Sequence, residues 1–267
     1  LQNHKAVSSV NILGNSLRRK HAKELNKLRQ SNRELGTLCG LSGDETALDF
    51  SEHNLGPAEA VLIANDVRNC SRLNILNMSK NGIGKLILPD GWHYPTAHGN
   101  NCWVHTDGRR QEERPGAAEG LITLVDSLNN HKALEKLHLS ETRIATKQAG
   151  QALADLLKAN SVLRELDVSN NFQENDSSSS DGPGFARELA VGLSANGVLT
   201  SLNLSRNGLG AEGAKHVAEA IKVNVSALQF FSHYSVSDLI SGCSITKGAL
   251  TSLNMSENNI DQEVPPE

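Results

Sequence analysis

The sequence predicts an α/β solenoid, a curved right-handed superhelix with parallel strands on its concave face and helices on its convex face. Three observations lead there. A short strand-like phrase returns along the chain, an amphipathic helix pattern follows most of its copies, and aromatics make up only 3% of the 267 residues. A core so poor in aromatic side chains must be built from Leu, Ile, Val and Ala, which suits narrow repeated layers better than one bulky centre.

The phrase is clearest at Leu73-Asn-Ile-Leu-Asn-Met-Ser-Lys-Asn-Gly-Ile-Gly84, Leu199-Thr-Ser-Leu-Asn-Leu-Ser-Arg-Asn-Gly-Leu-Gly210 and Leu250-Thr-Ser-Leu-Asn-Met-Ser-Glu-Asn-Asn-Ile260, with looser copies at 134–144, 163–171, 48–55 and 10–17. Its form is LxxLxLSxNxL. The alternation Leu76-x-Met78 turns both side chains to one side of a short strand, because successive strand residues face opposite ways. The Asn that follows ends the strand, its carboxamide able to bond the backbone of the turn. Asn15, Asn81, Asn171, Asn207 and Asn258 make up this structural ladder, while His53 and Thr142 take its place in two copies, whose turns should be less well satisfied.

Helix patterns come next: Ala149, Ala152, Leu153, Leu156 and Leu157 share one helical face, as do Ala214, Val217, Ala218 and Ile221. The recurring phrase resembles the leucine-rich repeat family. Spacings of 28 residues from Leu48 to Leu76 and 29 from Leu137 to Leu166 resemble its ribonuclease-inhibitor-like subfamily. That resemblance implies another protein as partner, since the subfamily includes the sensor regions of nucleotide-binding immune receptors and the GTPase-activating protein for Ran. Regulation of a small GTPase is the alternative it carries; the fold alone names no partner.

Larger spacings of 61 residues from Leu76 to Leu137, 36 from Leu166 to Leu202 and 51 from Leu202 to Leu253 mark insertions at 85–116, 173–184 and 229–248 within a single domain, 1–267. In the first, Leu88-Pro-Asp-Gly-Trp92, Cys102-Trp-Val-His105-Thr-Asp-Gly108 and Pro115 resemble a degenerate WW module. Glu112 stands where that family has its ligand-stacking Trp, so the resemblance implies a structural hairpin more than a groove for proline-rich peptides. His93, His98, Cys102 and His105 are zinc-ligand types at a spacing foreign to familiar zinc sets; a polar hairpin with incidental histidines is the simpler reading, zinc or peptide binding the alternative. The second insertion holds serines at 177–180 between Asp176 and Asp181, a solvated loop with phosphorylation as the sharper reading. The third is dense in aromatics and is either a binding loop or sequence foreign to the array.

Between Leu35-x-x-Leu38 and Leu48-x-Phe50 there is no room for a helix, so one layer should carry a loop instead. The phrase is already under way at Val10 and stops at Ile260 without polar capping layers. The expectation is a fragment of a longer array, whose bare ends would invite self-association.

A net charge of -4 and a pI near 6.2 supply no field for phosphate backbones, so nucleic acid is not an expected partner. The basic segment with Arg18, Arg19, Lys20, Lys23 and Lys27 reads as a solvated helix back. Cys39, Cys70, Cys102 and Cys243 lie far apart with no CxxC pair, which suggests reduced thiols and a cytoplasmic setting by default. No run is long enough to cross a membrane, so none is an expected partner. GxxxxGK[ST], GxSxG and HExxH are all absent; no catalytic residue, enzyme activity or cofactor is expected, and the reading is a non-catalytic scaffold, sensor or inhibitor.

The candidate recognition surface is the exposed strand face. Asp49, Asn77, His138, Asp167, Asn203 and Asn254 lie between the strand anchors, and Glu52, Lys80, Glu141, Asn170, Arg206 and Glu257 follow the fixed Ser. Fixed anchors beside varied exposed positions are what recognition requires. Lys80 and Arg206 are expected to meet carboxylates of the partner.

Overall fold

Copies of the phrase from Leu48 onward become short strands that stack in register. The computed structural model describes residues 7–32, 34–85, 92–93, 103–107, 110–111, 118–172, 181–222, 225–231 and 249–260. In chain order these form α1 (Arg19–Ser31), β1 (Ala47–Asp49), α2 (Pro57–Val67), β2 (Ile75–Asn77), β3 (Trp92–His93), β4 (Trp103–His105), β5 (Arg110–Gln111), α3 (Glu119–Leu128), β6 (Lys136–His138), α4 (Lys147–Ala159), β7 (Glu165–Asp167), α5 (Gly182–Ala195), β8 (Ser201–Asn203), α6 (Gly210–Lys222), β9 (Val225–Phe231) and β10 (Leu250–Asn254).

One parallel sheet runs β1-β2-β6-β7-β8-β10-β9. Leu48, Leu76, Leu137, Leu166, Leu202 and Leu253 face one another across adjoining strands, and all but the half-buried Leu48 are sealed in the core. Two residues on, Phe50, Met78, Leu139, Val168, Leu204 and Met255 form a second buried row. The helices close the core from the other side with Leu153, Leu156, Leu157, Leu189, Leu193, Val217 and Ile221. Each such side chain contributes about 1.5–3 kcal/mol by leaving water, so the layers are held together mainly by aliphatic burial. Neighbouring helices come close enough to need glycine: a Cβ on Gly192 would sit 2.4 Å from the Ala154 Cα, and one on Gly120 2.5 Å from the Pro57 Cα.

The first insertion leaves the sheet undisturbed, since Leu76 still pairs with Leu137. Its described pieces form a separate antiparallel sheet, β3-β4-β5, with Trp92 opposite His105 and Trp103 opposite Gln111. The second ends earlier than its composition suggests, because Asp181 caps α5 by accepting the Gly184 N–H at 2.7 Å and the helix starts at Gly182. The third overlaps β9, which lies parallel to β10 on its outer side, with Phe231 opposite Asn254. The edge of β10 is therefore covered, its unpaired backbone groups taken up by the chain itself. Residues 232–248 lie outside the described residues.

At the other end, Ser9 bridges Thr37 and Asn11 bridges Cys39. Helix α1 follows the first of these segments, whereas residues 40–46 run as a loop without a helix. Glu45 organises that loop by accepting the N–H groups of Ser42 (2.6 Å) and Gly43 (2.9 Å) and the Ser42 hydroxyl (2.8 Å). Partial desolvation pushes its carboxyl up, but these hydrogen bonds prevail and hold it at about 2. A depressed folded-state value means stability present above the ordinary carboxylate range and lost as pH falls toward 2. Glu45→Gln should therefore lower stability by about 1 kcal/mol at pH 7, a figure discounted for solvent screening. Urea titrations between pH 7 and 2 should show the gap between variant and wild type closing on acidification; a pH-independent gap would refute the assignment.

Candidate functional site

The strand face consists of in-register rows. Asp49, Asn77, His138, Asp167, Asn203 and Asn254 are successive partners across the sheet, so they form one row rather than scattered positions. Five of them do the same structural work. The side-chain oxygen of Asp49, Asn77, Asp167, Asn203 and Asn254 accepts the N–H of the Ser two residues on, at 2.9–3.2 Å, ending the strand in an Asx turn. Hydrogen bonds from Ser51 also hold the Asp49 carboxyl below its usual range. His138 has no such oxygen. Its Nε2 instead contacts Glu165 at 3.0 Å, where Lys136 also binds at 2.8 Å and, more strongly than His138, draws the Glu165 carboxyl down.

The second row is set by backbone conformation. Glu52, Lys80, Glu141, Asn170, Arg206 and Glu257 all lie in the left-handed region, at φ 54–60°. A non-glycine residue there is strained by roughly 1–2 kcal/mol. The conformation persists because the N–H of each of the first five donates to the carbonyl of the fixed Ser in the adjoining layer: Ser79, Ser140, Ser169, Ser205 and Ser256. Where the sequence led us to expect Lys80 and Arg206 to be open to a partner, both are engaged within the sheet. Lys80 pairs with Glu52 at 2.5 Å, and Arg206 grips Glu257 through Nε and Nη2 at 2.7 and 2.9 Å. Long side chains of opposite sign, one layer apart on the same row, find each other before any partner arrives.

Beneath these rows runs the buried ladder. Asn171 donates from Nδ2 to its own turn (Val168 O, 2.7 Å) and to the preceding layer (Leu139 O, 3.0 Å), while its Oδ1 accepts the Thr142 N–H at 2.7 Å. Asn207 reaches Leu204 O and Val168 O and accepts from Asn171; Asn258 reaches Met255 O and Leu204 O and accepts from Asn207. Asn81 bonds Met78 O, Phe50 O and the Leu55 N–H in the same manner. Asn15 is exposed and, among the described residues, bonds Ile12 O and Leu13 O of its own turn. Thr142 corrects the expectation of a poorly satisfied turn. It is fully buried, its hydroxyl donates to Leu139 O at 2.6 Å and its N–H to Asn171, so what it lacks is reach into the layer of Asn81. His53 lies exposed, its Nδ1 2.6 Å from Ser51 O.

A second polar column, at the helix exits, escaped the sequence reading. Buried Asn160 donates to Leu128 O and His131 O and accepts from Val162 and Leu163; Asn196 donates to Leu157 O and accepts from Val198 and Leu199; His131 contacts Cys70 O at 2.9 Å. Its signal is a polar residue or Cys three places before the first Leu of the phrase, as at Asn32, Cys70, His131, Asn160 and Asn196. Burial holds the Cys70 thiol up at about 12, and it pushes Cys39 up as well.

Of the zinc candidates, His98, Cys102 and the His93 side chain lie outside the described residues. His105 Nδ1 lies 2.7 Å from the Asp107 carboxylate. Among the described residues no group of three or more His, Cys, Asp or Glu could hold a metal ion, and no helix is long and apolar enough to cross a membrane.

A family model for the leucine-rich repeat matches residues 195–218, which carry β8, the Asn207 turn and the start of α6. The fold is an α/β repeat solenoid, with a leucine-rich repeat at residues 195–218. A solved structure, leiomodin-1 actin-binding site 2, is similar to the repeat array over 45% of this chain and 70% of its own, with 23% identity and a TM-score of 0.36. The ladder generates a test within this repeat architecture. Thr142→Asn should complete the missing rung toward Met78 O and raise stability by about 1 kcal/mol, whereas Asn207→Leu should lower it by about 3 kcal/mol by orphaning buried groups on two layers. Urea unfolding decides; a destabilised Thr142→Asn would count against the ladder as the inter-layer link.

Proposed function

We propose that this chain is a non-catalytic protein-interaction module whose strand face receives the partner. The observation that carries the reading is the register-locked pair of rows, in which charge differs from layer to layer while every backbone position is fixed by bonds into the adjoining layer. Such preorganisation lowers the entropic cost of association. The outward pattern is Glu52 with Lys80, then Glu141 and Asn170, then Arg206 with Glu257, flanked by Lys136, His138 and Glu165. A mixed-charge pattern of this kind favours a partner of alternating charge over a polyanion.

Simple reversal of Lys80 or Arg206 would also break an internal pair, so the informative variants are swaps. Glu52→Lys with Lys80→Glu, and Arg206→Glu with Glu257→Arg, keep each pair and invert what the partner meets. In an affinity capture from source-cell extract quantified by mass spectrometry, the swaps should reduce retention of the specific partner roughly tenfold, with urea midpoints unchanged. The swap Asp155→Lys with Lys158→Asp on α4 should leave retention intact. Binding that survives both strand-face swaps but is lost on deletion of residues 232–248 would transfer the role to that segment.

We further infer that the 85–116 insertion is WW-like in architecture but structural in role. Three antiparallel strands in the order β3-β4-β5 support the resemblance, and Glu112 in the stacking position argues against a peptide groove. Titration with proline-rich peptides should give no saturable binding below about 1 mM; micromolar binding would reverse this.

A further inference from the structure

The layer without a helix leaves a cleft. Helices α1 and α2 are successive helices although two strand-like segments separate them, and between their C-terminal halves, beside Leu35 and Gly36, lies a cavity of about 550 Å³. That size falls within the range of small-molecule sites. Its wall presents the guanidiniums of Arg29 and Arg68 and the carboxamides of Asn26, Asn32, Asn65 and Asn69, of which Asn65 donates to Asn26 Oδ1 (3.1 Å) and Val61 O (3.0 Å) and Asn32 accepts the Glu34 N–H (3.2 Å).

The charges in and around this wall do not cancel. Arg29, with its side chain only 18% exposed, makes a single bond, from Nη1 to Asp66 Oδ1 at 2.6 Å. Asp66 is itself fully committed: its other oxygen accepts from the Thr37 hydroxyl (2.5 Å) and from the N–H groups of Leu38 (3.0 Å) and Cys39 (2.8 Å). Among the described residues, the remaining side-chain N–H groups of Arg29 have no acceptor other than Asp66, leaving them to face the cleft. Arg68 stands exposed at the end of α2 with no ion pair among the described residues. Helix C-termini ordinarily disfavour an anion. Here three of the terminal carbonyls are occupied, Leu28 O by Asn32 N–H, Asp66 O by Asn69 N–H and Val67 O by Cys70 N–H, and the two guanidiniums, full positive charges against the partial charges of the helix ends, set the local sign.

We propose that this cleft binds a small polar anion, with a carboxylate or phosphoryl group on the Arg29 and Arg68 guanidiniums and a hydroxyl- or amide-bearing remainder against the carboxamides of Asn26 and Asn69. Guanidinium forks match both oxyanions, and carboxamides supply donors and acceptors to an uncharged polar body. The wall contains no aromatic side chain, which argues against a stacked base or ring.

The test uses the full chain at constant ionic strength, with the arginine Nε–H resonances followed by NMR during separate titrations with inorganic phosphate, citrate and N-acetylaspartate. We expect saturable shifts of the Arg29 and Arg68 signals at or below about 1 mM for at least one probe. A response to phosphate alone assigns a phosphoryl ligand and a response to the carboxylates alone assigns a carboxylate; either supports the site. Arg68→Gln should weaken binding about tenfold or more with unchanged urea stability, and Arg68→Lys should recover part of it. No saturable response to any probe, or binding indifferent to Arg68→Gln, overturns the proposal.

Discussion

A strand of three residues cannot hold its own register, because its few ladder bonds are readily exchanged with water. What fixes four of the layers, those of Asn81, Asn171, Asn207 and Asn258, is a buried carboxamide that bonds its own turn and the layer before it at once. Asn171, Asn207 and Asn258 each donate to two carbonyls in two layers and accept an N–H from the earlier one. No shorter or longer side chain offers two donors and an acceptor at that reach. Because the bonds are buried, slipping one layer would leave several polar groups unpaired at about 1–3 kcal/mol each. Aliphatic burial stabilises the stack; the carboxamides decide how it is stacked.

The same requirement limits what the outer face can say to a partner. Five of the six positions between the strand anchors are Asp or Asn because the strand must end in an Asx turn there, so their sequence variation is narrower than that of a free surface. The left-handed row is different. Its conformation is imposed through the backbone N–H, which any residue but proline possesses, and the side chain is left to vary in charge. Glu, Lys, Asn and Arg all occur in it. Recognition information is thus concentrated where the backbone is most constrained, and the layer-to-layer ion pairs of Glu52 with Lys80 and Arg206 with Glu257 belong to that information.

Much of this was legible in the sequence. The Leu periodicity gave strand, turn and helix in order, and the rows follow from register once the anchors are aligned. The loop at 40–46 was foreshadowed by spacing alone. Less visible were features that depend on what lies beside a residue in space. Thr142 reads as a defect in one dimension, yet the next layer supplies its missing acceptor through Asn171. Lys80 and Arg206 read as free cations until the neighbouring layer brings a carboxylate to each. Asp66 gave no signal, since its four partners come from α1 and from residues 37–39, far away in the chain. The column of Asn160 and Asn196 did leave a trace, three residues before each first Leu, but the trace is polar at one copy, Cys at another and His at a third.

The array accommodates inserted chain without losing the register of its strands. Two internal copies lack an Asn, those of His53 and Thr142, and the 61-residue spacing that holds the largest insertion ends in the layer of Thr142. Between Asn81 and Thr142 the strands still pair and Leu76 still meets Leu137, and among the described residues the turns are tied across the junction by backbone bonds, Lys80 N–H to Ser140 O and Gly84 N–H to Thr142 O, rather than by a ladder carboxamide. Because each layer depends only on its neighbours, the inserted sheet β3-β4-β5 can leave and rejoin the stack without disturbing the rows on either side. The layer without a helix shows the converse: strand-side bonding continues across residues 37–39, while the helix side, deprived of one element, opens the polar cleft between α1 and α2.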